Sequence, residues 1–337
     1  MTALPVNLLA AASDSERYAN FDVHPWQWAL FIAVIVALLV ADLLLVHNEA
    51  HEITFKEAAV ESAIWISIGL SFSLVMLWWQ GGQAAGEYVT GYLIEESLSI
   101  DNVFVWAVIF SYFGVPAKYQ FRTLFWGIFG ALVLRAVFIF AGVAVIERFD
   151  WALVVFGLIL LYSAWKIAFN DESEIDPEKS LVLRSVRRVV PSTDAYDGQK
   201  LFTRRNGKRL ATPLFAVLIM VETTDVVFAV DSIPAILAVA REQFIVFSSN
   251  AFAILGLRSL YFCVSGMQDR FRYLNMGLGV ILAFVGVKML LSYFFEDWFH
   301  DHVPTWSSLA VISVVLTVTI LASLRADKTD QATTEVD

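Results

Sequence analysis

Seven carboxylates stand three or more residues in from the ends of apolar runs of this chain: Asp42, Glu95, Glu96, Asp101, Glu222, Asp225 and Asp231, with Glu95 nearest a border. An Asp at the centre of a membrane-spanning helix costs at least about 2.5–3.5 kcal/mol. Such acids persist when they pair, take up a proton, or face water or a cation. Three bases stand within other apolar runs, Arg135, Arg258 and Lys288. They could neutralise three of the acids, although Lys288 could instead extend its ammonium to the border. Four acids are then left over. Surplus acid in an apolar interior points to a path for a cation, and ion pairing for structure alone is the competing reading.

The neighbouring residues suit the first reading. One run contains Glu96-Ser97-Leu98-Ser99-Ile100-Asp101-Asn102; another contains Glu222-Thr223-Thr224-Asp225 and then Asp231-Ser232-Ile233-Pro234. Glu222 and Asp225 are spaced to share a helix face, as are Ser97 and Asp101. Glu96 and Asp101 point apart on an ideal helix, so a shared role requires local unwinding or separate sites. Pro234 has no N–H for the carbonyl of Val230, and a kink there would free main-chain oxygens beside Asp231. Carboxylate, amide and hydroxyl oxygens suit Mn²⁺, Mg²⁺ or Ca²⁺ better than zinc or copper. The histidines, His24, His47, His51, His300 and His302, lie near the borders of the apolar runs. The single cysteine, Cys263, excludes an internal disulfide and a cysteine metal cage. A divalent cation is therefore expected as a transported ion, with no resident cofactor.

The elements that hold these acids are read from hydropathy. Of the 337 residues 58% are hydrophobic and only 17% charged. Soluble domains carry about a quarter charged residues. Runs long enough to cross a bilayer cover 26–46, 60–79, 92–113, 121–146, 151–169, 213–239, 244–265, 273–295 and 306–324. This predicts an all-α polytopic membrane protein of nine spans, one membrane domain over residues 1–337. The first 25 residues lack the basic start of a cleaved signal peptide, so the first run is expected to stay as an anchor. Seventeen of the 23 Lys and Arg fall on one side if the amino terminus is outside, and three fall on the other. The positive-inside rule then places the amino terminus outside and the carboxyl terminus in the cytoplasm. Segment 80–91 reads as an outer loop. Segment 170–212 reads as a basic cytoplasmic loop, with an amphipathic helix after Asp176-Pro177 and a tight hairpin at Asn206-Gly207. Anionic lipid headgroups are its expected partner, with a docking role as the alternative. No nucleic-acid partner is expected, and the oligomeric state is not legible.

Spans three to five resemble spans six to eight. Phe129-Gly-Ala-Leu-Val-Leu-Arg135 matches Phe252-Ala-Ile-Leu-Gly-Leu-Arg258. Asp101 precedes Arg135 by 34 residues and Asp225 precedes Arg258 by 33. Gly157 and Lys166 match Gly279 and Lys288. The two halves cross in opposite directions, which is the inverted repeat of many secondary transporters. Asp101 and Asp225 then come to similar depth, and Arg135 and Arg258 balance buried acid.

At these residues the chain resembles the TerC family, integral membrane proteins named for tellurium resistance. The resemblance runs from about Asp42 to Ser323. It is carried by Glu96-Ser-Leu-Ser-Ile-Asp101-Asn102, Ala211-Thr-Pro-Leu-Phe215, Glu222-Thr-Thr-Asp225-Val-Val-Phe-Ala-Val-Asp231-Ser-Ile-Pro-Ala235, and Ser249-Asn-Ala-Phe-Ala-Ile-Leu-Gly-Leu-Arg258-Ser-Leu-Tyr261. It implies a bacterial inner-membrane protein associated with manganese efflux, alkaline stress and tellurite resistance. Carried onto this sequence, it implies metal handling by Asp42, Glu96, Asp101, Asn102, Glu222, Asp225 and Asp231. Direct passage of tellurite fits an acidic interior poorly, because an oxyanion wants bases or helix amino ends. The expected function is export of a divalent cation, most of all Mn²⁺. A membrane scaffold that recruits cytoplasmic stress factors through 170–212 is the alternative. No enzyme is expected: Asp101 and Asp225 lack glycine-flanked protease settings, and no nucleophile elbow or zinc-protease motif occurs.

Overall fold

Helix starts are set by local capping. His24 precedes Pro25, and its N–H donates to Gln27 Oε1 at 2.7 Å. Thr54 Oγ1 accepts from the Glu57 N–H at 3.3 Å while Glu57 reaches back to the Thr54 N–H, a reciprocal pair that satisfies two otherwise orphaned donors. Pro213 opens another helix after Thr212, where its missing N–H is no loss.

The computed structural model describes residues 18–43, 53–149, 151–169, 190–193, 195–205, 207–264, 273–295 and 306–334. Among these residues are nine helices: α1 (Pro25–Ala41), α2 (Phe55–Gln80), α3 (Gly82–Tyr112), α4 (Ala117–Arg148), α5 (Ala152–Phe169), α6 (Pro213–Leu237), α7 (Gln243–Val264), α8 (Leu274–Phe294) and α9 (Trp306–Thr334). A hairpin of β1 (Phe202–Arg205) and β2 (Lys208–Ala211) lies between α5 and α6. Each apolar run read from the sequence coincides with a helix. Five of them, α2, α4, α6, α7 and α8, are long and apolar enough to cross a membrane over most or all of their length, and α1, α5 and α9 contain shorter apolar helices. Leu74, Trp78, Val137, Tyr162, Val227 and Val318 point outward. Such a display of apolar surface requires lipid rather than water. The chain is an all-α, multi-pass membrane protein.

Segment 80–91 departs from the expected loop. Only Gly81, at φ +88°, breaks the chain; α3 begins at Gly82 and continues for 31 residues. Ala84, Glu87, Tyr88 and Thr90 are buried in its first turns, so tertiary burial outweighs the glycine-rich composition. The expected tight hairpin forms between β1 and β2, with Gly207 at φ +74° and Arg204 opposite Arg209, while Asn206 lies outside the described residues. Phe202 packs on Phe215, with ring centres 4.7 Å apart, under the Arg209 guanidinium. The Tyr196 hydroxyl donates to the Phe113 carbonyl at 2.7 Å, which ties this segment to the end of α3. The expected helix after Pro177 lies outside the described residues. At the other end of α3, the Ala19 N–H donates to Glu87 Oε1 at 2.7 Å.

The helices pack reciprocally. α3 runs along α7 while α4 runs along α6, and α5 lies along α8. A Cβ on Gly157 would lie 3.1 Å from the Gly286 carbonyl, and a Cβ on Gly286 would lie 2.9 Å from the Gly157 carbonyl. A Cβ on Gly279 would lie 3.6 Å from the Ala164 carbonyl.

Candidate cation site

Three buried charged side chains form an ion triad. Arg135 on α4 lies between Glu95 on α3 and Asp225 on α6. Its Nη2 donates to Asp225 Oδ1 at 2.9 Å and its Nε to Oδ2 at 3.3 Å. Nη1 donates to Glu95 Oε1 and, at 3.3 Å, to Ser232 Oγ. Exposure is 1% for Arg135, 0% for Glu95 and 3% for Asp225, so no solvent screens the group. Two carboxylates share one guanidinium, and Ser99 adds a hydroxyl donor to Glu95 Oε1 at 3.4 Å.

Further acids surround this triad on the same helices. Glu96 follows Glu95 on α3, one turn after Tyr92. Asp231 on α6 accepts from Ser163 Oγ of α5 at 2.6 Å. Glu222, one turn before Asp225, rests on Gly130 of α4. Asn102 is buried on α3. Oε2 of Glu95, Glu96 and Glu222 and Oδ1 of Asn102 are buried with no hydrogen-bond partner. Asp101 lies in α3, and its side chain falls outside the described residues. Asp42 lies apart from the triad, paired with Arg258 of α7, whose guanidinium stacks over Phe121 at 4.1 Å. α6 continues through Pro234 to Leu237.

The expected site residues therefore fall into two places. Asp225 and Glu95 meet at Arg135, with Glu222 and Asp231 on the same helix; Asp42 meets Arg258. Among the described residues, no three acidic, histidine or cysteine side chains converge as a ready-made metal cage. The oxygens are spread along α3 and α6 instead. The two arginines at matched positions hold acids from different elements. Sequence reading left Glu95 at a border, whereas it is fully buried in the triad. It also passed over Glu61 and Glu87, both buried. Each interrupts an apolar or small-residue stretch, which is the signal that could have found them. Lys288 is buried, and its Nζ donates to Ser308 Oγ in the first turn of α9 at 2.7 Å.

Comparison with known proteins gives the same kinship. An uncharacterized membrane protein of Myxococcus xanthus is 48% identical over 89% of this chain and 92% of its own length. A protein of Salmonella typhi, named as a candidate membrane-bound redox modulator, is 45% identical over 88% of this chain and 93% of its own. The Escherichia coli (strain K12) protein of the same name is 44% identical over 88% and 94%. No solved structure matches. The profile described as "Integral membrane protein TerC family" matches residues 80–331, most of the chain, and with these relatives it shows that the chain belongs to the TerC family.

Proposed function

We propose that the chain is a bacterial inner-membrane transporter that exports a divalent metal cation, Mn²⁺ foremost, along the acidic faces of α3 and α6. The observation that carries this reading is the surplus of buried oxygen. Arg135 balances one charge of the Glu95–Asp225 pair, and Glu96, Glu222 and Asn102 keep buried oxygens without partners. Hard divalent cations take six to eight such oxygens in the calcium case and six in the magnesium case. Manganese, with the same ligand preference, suits the set. Arg135 acts as a tethered cation: a divalent ion reaching Asp225 competes with it for the same carboxylate. Asp42, paired with Arg258, lies on the route toward the cytoplasm.

The proposed architecture has nine spans, with the amino terminus outside. Spans three to five and six to eight form an inverted repeat. Reciprocal packing supports it. Gly157 meets Gly286, and Gly279, the match of Gly157, meets Ala164. Residue 164 stands to 286 as 157 stands to 279. The redox role in the relatives' names cannot rest on a dithiol pair within one chain here, since Cys263 is the sole cysteine.

The test is cellular manganese under manganese stress, in a host lacking its own exporter. The parent protein lowers it; Asp101→Asn and Asp225→Asn, at equal membrane abundance, do not. If both variants protect like the parent while changes within 170–212 abolish protection, the chain is a scaffold instead.

A further inference from the structure

We propose that Gly130 is a positioning residue: its missing side chain is the seat of the Glu222 carboxylate and fixes where that group stands in the cation path. This rests on the reading of Glu222 as a cation ligand.

α4 approaches α6 through glycines. At Gly127 and Gly142 a Cβ would meet the apolar tips of Val221 and Leu237, each at 3.0 Å. Gly130 differs in what it meets. A Cβ there would lie 2.6 Å from Glu222 Oε2, and closer still to Oε1 and the carboxyl carbon. The carboxylate head, not the stem, therefore occupies the space of a methyl group. Oε2 is buried in that seat with no hydrogen-bond partner. A buried unpartnered carboxylate oxygen is costly unless a ligand completes it. In mid-helix, glycine is also a worse choice than alanine for stability. A packing role alone does not explain a residue that weakens its helix to make room for a charge. The two halves of the repeat make the same point. The matches of Gly130 and Glu222 are Ala253 and Leu98. Where the acid is absent, the glycine is absent too.

The obstacle to a methyl group here is the far end of a flexible side chain, so Gly130→Ala folds well and moves Glu222. Gly130→Ala, Glu222→Asp and the double variant are compared with the parent, as full chains in proteoliposomes. Gly130→Ala should keep or raise the melting temperature while Mn²⁺ flux falls roughly tenfold, the effect expected when a hard-cation site loses one anionic ligand. Glu222→Asp, one methylene shorter, withdraws the carboxylate from the new methyl group. The double variant should therefore carry more Mn²⁺ than Gly130→Ala alone, which a packing defect does not predict. Labelling of Glu222 by a hydrophobic carbodiimide, read by mass spectrometry against Glu96, needs no transport. Gly130→Ala should change it several-fold. Parent-like labelling and flux in Gly130→Ala overturn the proposal. Changed labelling in a protein that moves no Mn²⁺ keeps the seat and overturns the transport reading alone.

Discussion

Arg135→Met removes the charge but keeps most of the volume. It leaves Glu95 and Asp225, at 0% and 3% exposure, facing each other without a counter-ion. Four hydrogen bonds to Asp225, Glu95 and Ser232 disappear with it. Removing one partner of a buried pair costs about 3–5 kcal/mol. Here two acids are orphaned at once, so the upper end of that range applies. A folded domain holds about 5–15 kcal/mol in total. The variant should therefore lose most of its membrane abundance, and its detergent-solubilised melting transition should fall sharply. Adding Glu95→Gln and Asp225→Asn removes both orphaned charges, and stability should return to within about 2 kcal/mol of the parent, because uncharged replacement of a buried ion group is often neutral. This triple variant should still carry no Mn²⁺. An Arg135→Met protein as abundant and as heat-stable as the parent would refute the claim that the guanidinium neutralises these acids.

Arg258→Met orphans Asp42 and loses the stacking on Phe121, and it should cost about 3 kcal/mol, seen as reduced abundance. Gly286→Val places branched carbon against the Gly157 carbonyl, which cannot yield; a loss of about 2 kcal/mol or more is expected in thermal melts. Ser163→Ala strips Asp231 of its 2.6 Å donor and should lower stability by about 1 kcal/mol, measured the same way. At the hairpin, Thr203 and then Lys200 hold Asp197 below the usual carboxylate range. Its contribution is present above that range and lost as pH falls through the lowered value, so hairpin amide exchange should quicken only in acid.

Much of this architecture is legible in the sequence because lipid enforces simple rules. Long apolar runs become helices, and each expected run has its helix. The hairpin of β1 and β2 is legible because a tight turn needs positive φ, which Gly207 supplies. The start of α3 is not, since Gly81, Gly82 and Gly86 read as a linker while the burial of Glu87 and Tyr88 is a tertiary effect. The buried acids are visible as interruptions, but their partners are not. Arg135 reaches Asp225 across 90 residues, and no periodicity links them. The repeat predicts similar settings for Arg135 and Arg258; packing gives one a triad and the other a single acid and an aromatic ring. The Gly130 seat is invisible in one dimension, because α4 and α6 meet only on folding.

The central claim is that Asp225, with Asp101, handles the transported cation. It is tested by Mn²⁺ flux in proteoliposomes holding only this chain, parent beside Asp225→Asn. Asparagine keeps the size and an oxygen that can still accept from Arg135, and Glu95 remains to balance that guanidinium. Folding should therefore survive, and the melting transition should stay near the parent's. The account predicts robust flux in the parent and near-background flux in Asp225→Asn. Equal flux in both contradicts the site, and no flux in the parent contradicts the function.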